Sequence, residues 1–340
     1  MGISKRAVAS LLAAVVVATA GAYYYLRRGP HAAGSSAPPE LISLAPADAT
    51  SLFYADLAAL RSSPFLAQLM ALAPAPQADP EYQEFVRATG FDYTRDLDRV
   101  LLAVRSGPPT NFTVALAEGH FDRDKIARYA LRTGKLEWQN GVEVYVIPAG
   151  TPAKAVALAF LDANRIALAD SPSLAPVLPA RGHEFDAAMR ERISRVAGAA
   201  VFAVGQVGPL PENFSLGDVR SDQFTNLVRS LRWFSLAARP EGNQMKVAIE
   251  GECDTAERAR QIAGTLDGLR LLGQAALADP RTRQKMLPQT ASQLETLLRA
   301  AVVSQDNQRV RLAVELTSEM ISALSSIVTR SGPATSPPPR

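Results

Sequence analysis

Apolar and polar residues follow two different rhythms along the chain. Residues 7–26, AVASLLAAVVVATAGAYYYL, carry no charge at all and lie between Lys5-Arg6 and Arg27-Arg28. Twenty residues at about 1.5 Å each cover roughly 30 Å, so the run predicts one helix across a bilayer. Beyond it the pattern breaks into short segments. Val310, Leu312, Val314 and Leu316 alternate with Arg309, Arg311 and Glu315, which predicts a strand buried on one face and wet on the other.

The helices and turns read from local signals. Asp122 is placed to cap a helix over 123–133 that Gly134 stops. Asp254-Thr-Ala-Glu257 forms a capping box before a helix running to about Leu277. Ser318 precedes a stripe of Met320, Ile321, Leu324, Ile327 and Val328. Asn140-Gly141, between two apolar runs, predicts a type I′ hairpin turn.

Four segments recur in the same order. SLFYADLAAL at 51–60 is similar to AVFAVGQVGPL at 200–210, and LDRVLLAVR at 97–105 to LRWFSLAAR at 231–239. Residues 114–122 match 247–254 with one residue skipped, both carrying Glu-Gly at the strand end (Glu118-Gly119, Glu250-Gly251) and then an Asp. Residues 157–174 resemble 301–320, and the turns GPPT at 107–110 and PEGN at 240–243 close equivalent hairpins. The expected fold class is α+β, as two tandem duplicated units, residues 47–180 and 181–330, each an antiparallel sheet with helices on one face. Residues 1–28 are expected to form an N-terminal transmembrane signal-anchor, 29–46 (GPHAAGSSAPPELISLAP) a flexible stalk, and 331–340 (SGPATSPPPR) a disordered tail.

The apolar segment has a second reading. Ala18-Thr19-Ala20 or Ala20-Gly21-Ala22 offers a signal-peptidase site, although the run continues past both to Leu26. Flanking charge is nearly balanced and does not fix the orientation; the free amino terminus and short N-terminal arm favour the amino terminus inside and the body outside, at the inner membrane with the body in the periplasm.

Charge narrows the class of partner. The whole chain is +3, but residues 47–330 hold 31 Lys plus Arg against 32 Asp plus Glu. The basic excess sits beside the apolar segment, and no basic run interleaved with aromatics occurs, which argues against nucleic acid. A single cysteine, Cys253, excludes an intrachain disulfide. An apolar content of 47% is that of a folded body.

Candidate chemistry is sparse. The histidines are His31, His120 and His183; none has the spacing of a metal site, and His120 reads as a surface residue. Cys253 falls at a strand-to-helix turn and reads as a small buried residue rather than a thiolate activated by Arg258. Asp92, Asp96 and Asp98, with Asp122 and Asp124, are the tightest carboxylate groups; turns, caps and Asp–Arg pairs account for them. Phe53, Tyr54, Phe65, Tyr82, Phe85 and Phe91 read as core, with an apolar ligand groove as the sharper alternative. No Walker loop or dinucleotide fingerprint occurs. No catalytic, cofactor-binding or metal-binding residue is therefore assigned, and no cofactor is expected.

The repeat, the anchor and the motif TGFDYTRDLDRV at 89–100 resemble uncharacterised single-pass envelope proteins of Gram-negative soil-type bacteria. The resemblance implies location and duplication and brings no catalytic assignment. The leading expectation is a membrane-tethered periplasmic protein, non-enzymatic, that binds an envelope protein partner or an apolar ligand such as lipid. The alternatives are an envelope hydrolase using dispersed carboxylates and an envelope scaffold that oligomerises through its anchor or an exposed edge strand.

Overall fold

The computed structural model describes residues 40–72, 80–107, 111–149, 155–178, 184–207, 230–284 and 288–321. Residues 7–26 and 331–340 lie outside these; among the described residues no helix is long and apolar enough to cross a membrane.

The described strands form one antiparallel sheet of twelve. They are β1 (Ser51–Asp56), β2 (Leu97–Arg105), β3 (Phe112–Gly119), β4 (Lys135–Gln139), β5 (Val142–Pro148), β6 (Ala155–Phe160), β7 (Arg165–Ala169), β8 (Val201–Gln206), β9 (Leu231–Glu241), β10 (Gln244–Cys253), β11 (Val302–Asp306) and β12 (Arg309–Thr317). Their order is β11-β12-β10-β9-β8-β1-β2-β3-β7-β6-β5-β4. Reading outward from the central β1–β8 pair, one side runs β1-β2-β3-β7-β6 and the other β8-β9-β10-β12-β11; the β4–β5 hairpin extends the first side.

Two expected sheets are thus one. Ser51–Ala55 pairs with Val201–Gly205, and the paired stretches LFYA and VFAV have no polar residue to turn towards water. Strands of that kind are stable only inside a sheet.

Helices cover both faces, where one was expected. On the first face, α1 (Glu40–Ser43) and the short turn Ala175–Val177 pack against Leu52, Tyr54, Leu101, Leu116 and Phe202. On the second face lie α2 (Leu57–Arg61), α3 (Pro64–Leu72), α4 (Pro80–Thr89), α5 (Tyr93–Asp96) and α6 (Arg123–Ala130). There Ile126 and Ala130 meet Val100, Leu158 and Ile166. α7 (Ala187–Val196) adds Met189, Ile193 and Val196 to the first face. α8 (Ala256–Ala278), α9 (Pro280–Gln284) and α10 (Pro288–Ala300) follow β10, with Ala259 and Ile262 of α8 against Cys253 and Val310. Strands such as AVALAF at 155–160 are apolar at every position, so both of their sides need a cover. β12 keeps the alternation its sequence predicts, burying Val310, Val314 and Leu316 while Glu315 is exposed.

Residues 40–46, expected at the end of the stalk, belong to the core. Leu41 and Ala45 are completely buried, with Ile42 and Leu44 nearly so. The prolines and glycines that suggested a stalk all precede them, apart from Pro46, and LISLA is itself an apolar segment.

Local signals place most of the ends. Asp122 Oδ1 accepts from Lys125 N at 3.1 Å, capping α6. Asn140 and Gly141 both take positive φ, 49° and 80°, as a type I′ turn requires. The cap of α8 is Thr255, one residue after the expected Asp254; its hydroxyl accepts from Arg258 N at 3.2 Å. At the last described turn Thr317 accepts from Met320 N, while Ser318 is buried and donates to Gln68 of α3 at 3.1 Å. The rest of that stripe, Leu324, Ile327 and Val328, lies outside the described residues.

Candidate functional site

A row of charges crosses four neighbouring strands on the first face. β1 ends at Asp56, opposite Arg99 of β2; Arg99 is opposite Glu118 of β3, and Glu118 opposite Arg165 of β7. Facing residues in an antiparallel sheet stand about 5 Å apart, so this register alternates the charges at contact distance. Arg99 donates from Nε to Asp56 Oδ2 at 3.2 Å and from Nη1 to Glu118 Oε1 at 2.6 Å. Arg165 donates to Asp162 Oδ2 at 2.5 Å and to Glu40 Oε2 at 3.4 Å. Asp56 has a second role, since its Oδ1 accepts from Ala59 N at 2.8 Å and caps α2.

Asp56, Arg99, Glu118 and Glu40 line a cleft of about 710 Å³. One wall carries Glu40, Tyr54, Asp56, Arg99 and Glu118; the other is the Gly198–Ala200 turn with Arg239 and Pro240. Tyr54 stacks on Phe202, ring centroids 4.9 Å apart. Burial, and then the negative charge of Asp56, pushes its hydroxyl well above the usual tyrosine range, so it stays protonated at neutral pH. Arg239 donates from Nε and Nη2 to Gly198 O at 3.2 and 2.8 Å. No carboxylate among the described residues forms an ion pair with it. The cleft therefore offers one arginine clamped between carboxylates and one held by a carbonyl.

A second charged cluster lies on the same face. Arg192 and Arg195 of α7 reach Glu252, and Arg195 also reaches Glu250. Arg192 lies over the ring of Trp233. Burial raises the Glu252 carboxyl, but its two arginine partners bring it below the usual glutamate range.

The sequence candidates are scattered over structural tasks. Asp92 caps α5, accepting from Thr94 N at 2.9 Å and from the Tyr82 hydroxyl at 3.0 Å. Asp96 binds Arg95, and Asp98 binds Arg61 at 2.7 Å. His120 is exposed, 3.7 Å from Asp98. Cys253 is buried, which pushes its thiol up, away from the thiolate. His31 and His183 lie outside the described residues. The six aromatics do not share one groove: Tyr54 is on the first face, whereas Phe85 meets Phe91 and Tyr129 on the second. Burial raises Asp92 and Asp162, yet hydrogen bonds and an adjacent arginine bring both below the ordinary aspartate value. Among the described residues no group of three or more His, Cys, Asp or Glu is placed to hold a metal.

Arg99, Glu118 and Arg239 were not singled out as a site in the sequence because nothing local marks them. Glu118 stands out only as part of a repeated strand end, and Arg99 lies 43 residues from Asp56.

No family model matches the chain, and neither does any curated protein. Solved structures similar to it include three crystal forms of TP0453. Form IV has 9% identity and a TM-score of 0.45, with 84% of this chain and 95% of that chain covered. Form III has 10% identity and a TM-score of 0.44, covering 86% and 99%. Form I has 10% identity and a TM-score of 0.38, covering 85% and 98%. Likeness at this level assigns no function.

Proposed function

We propose that this is a membrane-tethered envelope protein, non-enzymatic, that binds a polar partner in the cleft between Arg99 and Arg239. The carrying observation is the cleft itself: open, and lined by charges already held in place by Asp56, Glu118 and the Gly198 carbonyl. Charges fixed before a ligand arrives lower the cost of binding and set specificity. Such a lining favours a charged protein surface over an apolar ligand.

The tether is residues 7–26, with the body in the periplasm; the length of the uncharged run, the short N-terminal arm and the resemblance of residues 89–100 to envelope proteins support this setting. We also read the body as a duplication. The matching strand orders on either side of β1–β8 support it.

Two measurements test this in membranes carrying the full chain. A photoreactive side chain at Glu40, on the cleft, is expected to capture a partner that the same group at Lys125, on the second face, does not. Capture is expected to disappear in Arg239→Glu. Equal capture at both positions, or capture indifferent to Arg239→Glu, overturns the cleft as the binding site. Separately, release of the protein by an alkaline carbonate wash would overturn the tether.

A further inference from the structure

β4 ends the sheet, and among the described residues β5 is the strand it pairs with. The two-residue turn makes Gln139 and Val142 the closing pair. Residues 135, 137 and 139 therefore turn their backbone groups towards β5, and Leu136 and Trp138 turn theirs outward. The side chains of these two are exposed as well, Leu136 at 42% and Trp138 at 69%. An open edge of this kind is a template for another strand. At the opposite end of the sheet, α8 packs beside β11.

Charge normally guards such an edge, but here it cancels. Lys135 and Glu137 project to the other side of β4 and pair with each other at 2.6 Å.

We propose that β4 docks a second copy of this chain, strand to strand and antiparallel, about a twofold axis at Leu136. In that register Leu136 faces its own counterpart, and Lys135 of each copy faces Glu137 of the other. The apolar edge is covered, and two opposite-charge cross-strand pairs form. Centring the axis on Glu137 would instead oppose two like charges. Shifting by one residue would set outward-facing backbone groups against groups already bonded to β5. An axis at Trp138 would satisfy the hydrogen bonding but set Glu137 opposite Gln139, so Leu136 is the axis that adds opposite-charge pairs. The pairing would join two sheets edge to edge and leaves the cleft reading independent of it.

Cys253 is the chain's one cysteine and is buried, so an added cysteine reports the register. In the full chain under mild oxidation, Leu136→Cys is expected to form a disulfide-linked dimer, because facing residues stand about 5.5 Å apart. Trp138→Cys is expected to give none, because its two copies would be roughly 13 Å apart along the strands. Lys135→Glu is expected to weaken dimerisation roughly tenfold, and the exchange Lys135→Glu with Glu137→Lys to restore it. A monomer by light scattering at all concentrations of the unaltered chain overturns the proposal. So does a disulfide through Trp138→Cys as ready as through Leu136→Cys, or a charge exchange that fails to restore the dimer.

Discussion

The guanidinium of Arg192 lies 4.2 Å from the centroid of the Trp233 ring. That contact, with the pairing of Arg192 and Arg195 to Glu250 and Glu252, fastens helix α7 to β9 and β10. The Nε atoms of both arginines are buried without a partner among the described residues, so the cluster is costly to desolvate and costly to break. Arg195→Met should destabilise the fold by roughly 2–4 kcal/mol, because it leaves Glu250 and Glu252 short of positive charge. Combining it with Glu252→Met should cost less than the two single changes summed. Chemical denaturation of the three variants measures the coupling.

The same cluster gives stability an acid limit. Burial raises the Glu252 carboxyl, but hydrogen bonds from Arg195 and Arg192 hold it below the ordinary value of 4.5. A carboxyl with a lowered folded-state pKa binds fewer protons folded than unfolded. Its stabilisation is therefore complete above pH 4.5 and is lost as pH falls through the folded-state value. Thermal melts below pH 4.5 should fall less steeply in Glu252→Gln than in the unaltered chain; parallel curves would contradict this.

Asp56 serves both the cleft and helix α2. Asp56→Ala removes a cap and an ion pair and should cost about 1–2 kcal/mol. Asp56→Asn keeps an oxygen for the cap and should cost less than half of that, while weakening any partner that depends on the cleft's charge. Denaturation midpoints separate the two roles.

Leu41 tests whether the chain enters the core before β1. It is completely buried on the first face. Leu41→Ala should cost about 2–5 kcal/mol, whereas truncation in a solvated stalk would cost nothing measurable.

Gly119 ends β3, whereas Gly251 lies inside β10, two residues before its end, and their surroundings differ. A Cβ at Gly119 would come within 2.2 Å of the Asp96 carbonyl oxygen, and one at Gly251 within 2.7 Å of a Leu231 methyl. Backbone cannot yield as a leucine tip can. Gly119→Ala should cost roughly 2–3 kcal/mol and Gly251→Ala clearly less, by equilibrium unfolding.

Short-range features of this protein were legible in its residues. Asn140-Gly141 turns, Asp122 caps and β12 alternates, because each depends on neighbours within a few residues or on one repeating period. The α8 cap moved only from Asp254 to Thr255, two adjacent residues that can both accept the same kind of bond.

What the residues alone left undecided depends on distant partners. That β1 pairs with β8, so that one sheet replaces two, is a choice among apolar strands of nearly equal pattern. That residues 40–46 are core depends on a surface made by β1, β2 and β3. The cleft exists because register sets Arg99 opposite both Asp56 and Glu118. Composition and periodicity determined which segments would be strands and helices; only tertiary pairing decided which charges would meet, since register is a relation between strands and is written in neither one by itself.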